Sequence, residues 1–123
     1  MIKRATKLNK EHRMQCSCVR WFNYSFPQLR GKLFAVANGG KRDAITGKQL
    51  KDEGVVAGVS DLILLVKNKH YCGLLIEMKT PTGRQSTSQK QWQELITNTN
   101  DYKYIIVRSF DEFMAEINDY LNN

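Results

Sequence analysis

The chain has 123 residues, which is the size of one domain (1–123) with its own hydrophobic core. Its 19 Lys and Arg against 12 Asp and Glu give a formal net charge of +7, which favours a polyanionic partner such as nucleic acid, although such a balance can also serve solubility alone. The 3 cysteines form no C-x-x-C pair, and no apolar run approaches about 18 residues, so we expect no disulfide framework, zinc ribbon or membrane span.

The first half of the chain predicts a helix, a strand and a second, short helix. Apolar residues recur at helical spacing over Asn9–Tyr24, with Asn9 as the N-cap, and Pro27 ends the run. The short apolar stretch Lys32–Asn38 predicts a strand because two glycines stop it. A polar stretch then predicts a short helix over Thr46–Glu53, closed by Gly54 at the C-cap.

Two further apolar stretches predict a pair of adjacent strands. They cover Leu62–Val66 and Tyr71–Lys79 and are separated only by a short polar turn. A turn of this length joins antiparallel neighbours, because a parallel pair needs a long crossover.

The last third of the chain predicts a helix, a strand and a helix. Ser86 or Ser88 caps a helix that runs to about Asn98, and the strand Tyr104–Val107 returns parallel to the preceding strand across that helix. An amphipathic helix follows over Asp111–Leu121. The predicted fold class is therefore α/β, with a small mixed central sheet flanked by helices.

Charged residues stand at the ends of the two adjacent apolar strands. Asp61 precedes one strand, while Glu77 and Lys79 end the other and, two residues apart, point to the same face. Buried carboxylates need a partner, and a divalent metal accepts two of them. We expect Asp61, Glu77 and the Met78 carbonyl to bind Mg²⁺ or Mn²⁺, which the sequence does not distinguish. Lys79 would orient the attacking water or stabilise negative charge in phosphodiester hydrolysis.

Asp61 followed by Glu77-x-Lys79 resembles the motif of the PD-(D/E)xK nuclease superfamily, and further residues are similar to its virus-type replication-repair nuclease branch, the VRR-NUC family. Gly58-Val-Ser-Asp61 resembles the G-x-P-D element of that branch, with Ser60 in place of proline. Gln89 with Trp92 resembles its S-x-x-Q-x-x-W element, and Asn38-Gly-Gly resembles a turn near its active site. Glu11 stands where the family has a glutamate close to the metal. The resemblance extends from Glu11 to about Val107.

The resemblance implies a restriction-endonuclease-like core and roles for two more residues. Glu11 would join the metal ligands, and Gln89 would support the lysine and the scissile phosphate. Each has a structural alternative, since a first-turn glutamate can serve the helix dipole and a first-turn glutamine can cap the helix. Contacts to DNA are expected from residues near the site, with solvated loop charge as the alternative for the basic ones: Asn38, Lys41, Arg42, Arg84 and Lys90.

These features together predict a divalent-metal DNA endonuclease. Free-standing members of the family resemble Holliday-junction resolvases and act as dimers, which implies a homodimer that cuts branched or structured DNA. No small-molecule cofactor is expected. We expect the protein in the cytoplasm, in a bacterial or phage-infected cell or wherever its DNA substrate lies. The alternative is a non-catalytic DNA-binding or accessory module that keeps the nuclease fold.

Overall fold

A computed structural model describes the backbone of residues 2–37 and 44–123, and the side chains of residues 9–37 and 47–123. Four α-helices are present in this part of the chain: α1 (Ile2–Ser25), α2 (Ala44–Asp52), α3 (Thr87–Thr97) and α4 (Phe110–Asn122). A short 3-10 helix, Pro27–Leu29, follows α1. Four strands accompany them: β1 (Leu33–Ala35), β2 (Leu62–Leu64), β3 (Gly73–Met78) and β4 (Tyr102–Val107). No helix of the described residues combines the length and apolarity needed to cross a bilayer.

The strands form one mixed sheet in the order β1-β2-β3-β4. β2 is antiparallel to both β1 and β3, and Leu64 of β2 faces Leu74 of β3. β4 is parallel to β3 with Glu77 opposite Ile106, and α3 makes the crossover between the two strands. The predicted mixed sheet flanked by helices is therefore confirmed.

Capping residues lie at one end of three helices, and two of them, Ser86 and Gly54, were predicted from the sequence. The Ser86 hydroxyl accepts a hydrogen bond from the backbone N–H of Gln89 at 3.2 Å and caps α3. Ser109 caps α4 in the same way. Gly54 follows α2 with a φ of +104°, a left-handed conformation that glycine adopts without strain.

Some predicted boundaries differ from those of the structure. The prediction that Asn9 caps the first helix is wrong, because α1 already begins at Ile2 and residues 2–8 contain no proline or glycine to interrupt it. β2 ends at Leu64 rather than Val66. The backbone N–H of Leu65 still donates to the Lys32 carbonyl at 2.9 Å, so a single hydrogen bond extends beyond the regular ladder.

The sheet is packed on both faces. Leu74, Ile76 and Met78 of β3 belong to the core cluster that also contains Phe22 of α1 and Phe113 of α4. The intervening residues of β3 point to the other face, and all six residues of this strand are buried. Alternation on a central strand thus places Glu77 under α3, away from the main apolar core.

Candidate metal and nuclease site

The Asp61 carboxylate contacts the backbone at the end of β3. Its Oδ2 accepts a hydrogen bond from the backbone N–H of Met78 at 2.8 Å, and its backbone carbonyl accepts one from Val36 at 3.0 Å. The preceding Ser60 is fully buried, and its hydroxyl donates to the Leu62 carbonyl at 3.2 Å. Ser60, which replaces the proline of the resembled motif, is therefore satisfied locally and leaves Asp61 in place.

Gly58 allows the loop before Asp61 to approach the first turn of α3. Its φ is +86°, and a Cβ built on it would overlap the backbone carbonyl of Ser88 and crowd the backbone nitrogen of Gln89. Only glycine fits both the backbone conformation and the space. This contact sets the distance between the loop that carries Asp61 and the helix that carries Gln89.

Both oxygens of the Glu77 carboxylate are held by side chains. Oε2 accepts a hydrogen bond from Gln89 Nε2 at 2.8 Å, and Oε1 accepts one from the Tyr104 hydroxyl at 3.2 Å. Lys79 Nζ lies 3.9 Å from Oε2. The side chain of Glu77 is 2% exposed and that of Lys79 is 13% exposed. The carboxylate is thus fixed at the base of the site, with the ammonium closer to solvent.

The environment of Glu77 disfavours the ionised form of its carboxyl group. Burial raises the pKa of Glu77, and the charge of Asp61 and a hydrogen bond between the two groups raise it further. Lys79 and Tyr104 act in the opposite sense, and the resulting pKa is about 8. The buried Glu77 and the half-buried Asp61 are incompletely neutralised by one lysine, so a second cation would be stabilised here.

The donor set suits a hard divalent cation. Asp61 and Glu77 offer carboxylate oxygens, which Mg²⁺ and Mn²⁺ prefer, and Mg²⁺ commonly binds one or two carboxylates while keeping several waters. The described residues contain no group of three or more His, Cys, Asp and Glu that could hold a metal, so the candidate side-chain ligands are limited to this pair of carboxylates. The residues therefore fit Mg²⁺ or Mn²⁺.

Gln89 performs the capping role and also contacts the site. Its Oε1 accepts a hydrogen bond from the backbone N–H of Ser86 at 2.8 Å, which completes a capping box at the start of α3. With Oε1 engaged there, the Nε2 group is the one that points at Glu77. The two interpretations of Gln89 that the sequence left open are compatible, because the two ends of the amide have different partners.

Tyr104 is a member of the site that the sequence analysis missed. It pairs with Leu75 in the β3–β4 register, two positions from the pairing of Glu77, so both side chains lie on the same face of the sheet. Burial and the Glu77 charge raise its pKa, which keeps the phenol protonated and able to donate. Gln85 Nε2 donates to the Tyr104 hydroxyl at 3.3 Å. The signal that could have found Tyr104 was strand alternation combined with parallel pairing.

The remaining predicted residues form no side-chain hydrogen bond with Glu77 among the described residues, or their side chains are not described. Glu11 is half-buried on α1, and within the described residues no hydrogen bond or ion pair joins it to Asp61 or Glu77, so its metal role stays a prediction. The backbone N–H of Met78 binds Asp61, whereas ligation by its carbonyl stays a prediction. Arg84 and Lys90 are exposed on the loop before α3 and on α3. Three predicted DNA contacts fall outside the described residues: Asn38, Lys41 and Arg42.

Comparison with known proteins places the chain in a family. The sequence model of the VRR-NUC domain matches residues 4–111, and no curated protein matches. A solved structure named "VRR_NUC domain protein" superposes with a TM-score of 0.77 at 21% identity, over 91% of this chain and 88% of the other. That likeness shows a shared fold. Because the domain match covers most of the chain, and because Asp61, Glu77 and Lys79 follow the motif order of a nuclease, the chain belongs to the VRR-NUC family of nuclease-type domains.

Proposed function

We propose that the chain is a divalent-metal-dependent DNA endonuclease that hydrolyses phosphodiesters in branched or structured DNA and works as a homodimer. Family membership supports the nuclease activity. The observation that carries the metal dependence is the buried Glu77 carboxylate, with Asp61 close enough to raise its pKa and Lys79 at 3.9 Å. Such a pair is poorly stabilised by protein groups alone and well suited to a cation.

The residues of the site divide the work of hydrolysis. Asp61 and Glu77 would hold Mg²⁺ or Mn²⁺. When bound, the ion supplies charge neutralisation at the phosphate and lowers the pKa of a coordinated water. Lys79, at the more exposed edge of the site, would donate to the scissile phosphate and stabilise the negative charge that develops there.

Gln89 and Tyr104 support this arrangement by fixing Glu77. A carboxylate with one donor on each oxygen has little rotational freedom, and a metal ligand with a fixed orientation loses less entropy on binding. Both donors come from elements that flank β3, since α3 carries Gln89 and β4 carries Tyr104. The β3-α3-β4 crossover unit is therefore the frame that would preorganise the site.

Basic residues near the site are suited to phosphate contacts on either side of the cut. Arg84 follows a loop that Arg108 fixes, because Arg108 Nη1 donates to the carbonyls of Thr80 at 2.9 Å and Gly83 at 2.6 Å. Lys90 is exposed on α3, and the net charge of +7 favours a polyanion. Symmetric cutting of a four-way junction needs two active sites, which two copies of a chain with one site would supply.

The test is cleavage of labelled four-way junction, flap, single-stranded and plain duplex DNA by the purified protein in Mg²⁺, Mn²⁺ or EDTA. Lys79→Ala is run in parallel, and Lys67→Ala serves as a control that removes an exposed lysine from a turn. We expect metal-dependent cutting of a branched substrate that Lys79→Ala loses and Lys67→Ala keeps. Light scattering on the same samples measures the oligomeric state.

Two outcomes would contradict the proposal. Shifting of a junction in a gel without cutting in either metal would favour the non-catalytic module. Cutting that persists in EDTA and in Lys79→Ala would point to a contaminating enzyme or to a different site. A monomer under conditions of full activity would refute the homodimer while leaving the nuclease intact.

A further inference from the structure

One face of α1 is polar, basic and exposed. Arg13, Ser17, Arg20 and Tyr24 recur at intervals of three or four residues, so they form one stripe along the helix, opposite the buried Cys18 and Phe22. Pro27 and Arg30 follow α1 and border the C-terminal end of the same surface. We call this surface the α1 groove and define it by Arg13, Ser17, Arg20, Asn23, Tyr24 and Arg30.

The α1 groove is concave. One depression of about 280 Å³ is lined by Arg13, Ser17 and Arg20, and a second of about 360 Å³ is lined by Arg20, Tyr24 and Arg30. Arg20 lies between the two depressions and borders both of them. From Arg13 to Tyr24 the stripe extends about 16 Å at 1.5 Å per residue, which matches about five stacked nucleotides of one strand at about 3.4 Å each.

The arginines of the groove are available for a ligand. The ion pairs among the described residues are Lys48–Asp52, Lys79–Glu77 and Lys103–Asp119, and none of them uses Arg13, Arg20 or Arg30. Among the side chains that the structure describes, no acidic one lines either depression. Unneutralised guanidinium groups spaced along a groove are suited to successive phosphates, because each offers a planar set of donors.

One aromatic residue of the groove favours nucleotides over inorganic anions. Tyr24 is 89% exposed, whereas its neighbour Phe22 is buried, so the ring of Tyr24 is free to stack on a base.

We propose that the α1 groove binds a single-stranded segment of nucleic acid, with the arginines on its phosphates and Tyr24 stacked on a base. A basic groove with an exposed aromatic ring is the arrangement by which proteins bind single strands with little sequence preference. The inference adds a second nucleic-acid-binding surface to the proposed nuclease. Binding at this surface requires neither metal nor cleavage, so it can be tested separately.

The experiment measures fluorescence anisotropy of a labelled ten-nucleotide oligo(dT) and of a blunt duplex with the full-length protein in EDTA. The charge variant is Arg13→Gln, Arg20→Gln and Arg30→Gln together. Its matched control removes the same charge from exposed lysines on other elements, Lys51→Gln, Lys67→Gln and Lys69→Gln together. Tyr24→Ala and Tyr24→Phe test stacking, and circular dichroism verifies the fold of each variant.

We expect the arginine variant to bind the single strand at least tenfold more weakly, and the dependence of log K on log salt to become shallower by about two, since each phosphate contact contributes about 0.7 for single strands. Tyr24→Ala should weaken binding about fivefold or more, and Tyr24→Phe should restore it. The lysine control should change the affinity less than twofold. Equal losses in the arginine and lysine variants, or equal losses on single strand and duplex, would overturn the inference. So would an unchanged affinity in Tyr24→Ala.

Failure of this inference and failure of the proposed function give different results. If the protein binds the single strand through Arg20 and Tyr24 but cuts no substrate with metal, the binding inference is supported and the nuclease proposal is refuted. If the protein cuts branched DNA with metal and its arginine variant still binds the single strand normally, the nuclease proposal is supported and the binding inference is refuted.

Discussion

Glu77→Gln should stabilise the metal-free protein while removing the proposed activity. Burial and Asp61 raise the pKa of Glu77 from 4.5 to about 8, so the ionised carboxylate is less stable in the fold than in the unfolded chain. This unfavourable contribution is absent below pH 4.5, grows as the pH rises, and is complete above about pH 8. Because one pKa unit corresponds to about 1.4 kcal/mol, it reaches about 3 kcal/mol at pH 7.

Glutamine has nearly the same shape and no charge. It still accepts one hydrogen bond in place of the carboxylate, but it loses the charge-assisted character of the bonds from Gln89 and Tyr104, which offsets part of the gain. We therefore expect Glu77→Gln to be more stable than the natural protein by about 1–3 kcal/mol at pH 7 in EDTA, a range set by the ionisation cost minus the weakened hydrogen bonds.

Urea denaturation in EDTA at pH 5, 6, 7 and 8 measures this difference. The advantage of the variant should fall below about 1 kcal/mol at pH 5, where Glu77 is mostly protonated. Excess Mg²⁺ or Mn²⁺ should stabilise the natural protein more than the variant, by about 3 kcal/mol at a hundredfold excess over the dissociation constant. Glu94→Gln, at an exposed position of α3, is the matched control and should show no such pH dependence.

A variant that is less stable than the natural protein at pH 7 in EDTA would refute this reasoning. So would an advantage that stays constant from pH 5 to pH 8, because the carboxylate pair would then not be its cause. Equal stabilisation of both proteins by the metal would show that Glu77 is not a ligand.

Three further changes test other parts of the site. Tyr104→Phe removes one hydrogen-bond donor from Glu77 and should destabilise the protein by about 1 kcal/mol in urea denaturation. Cleavage by this variant should need several-fold more metal for its half-maximal rate, and an unchanged metal requirement would argue against a positioning role for Tyr104. Gly58→Ala should lower the free energy of unfolding by about 2–4 kcal/mol in the same assay, because it combines a strained φ with overlap at the Ser88 carbonyl. A loss below about 0.5 kcal/mol would show that the loop can shift away from α3 at little cost. Lys79→Ala should lower cleavage at least a hundredfold and leave gel-shift affinity within about threefold; a parallel loss of binding would make Lys79 a DNA contact rather than a residue for the chemical step.

Much of the fold follows from local signals that the sequence carries. The apolar stretches and turn residues predicted the four α-helices and four strands of the described chain in the correct order, and the short turn after β2 predicted the antiparallel pair. Boundaries were less accurate, as at the start of α1, because a helix end depends on fraying and capping contacts that spacing alone does not determine.

Part of the candidate site also follows from spacing. Glu77 and Lys79 share a strand face because side chains alternate, and the structure places their charged groups 3.9 Å apart. Asp61 could be expected nearby because it heads the adjacent antiparallel strand. These residues lie close together in the sequence or on strands joined by one short turn, so the chain allows few other arrangements of their side chains.

The sequence by itself thus determined the order of elements, the mixed sheet and the motif residues that converge on β3. Only the tertiary structure decided that Tyr104 holds Glu77, that Gln89 both caps α3 and reaches the carboxylate, and that Gly58 sets the approach of α3. The physical reason is separation along the chain. Periodicity and capping act over a few residues, whereas the contacts of Glu77 join groups 12 and 27 residues apart, whose distances depend on how the whole crossover unit packs.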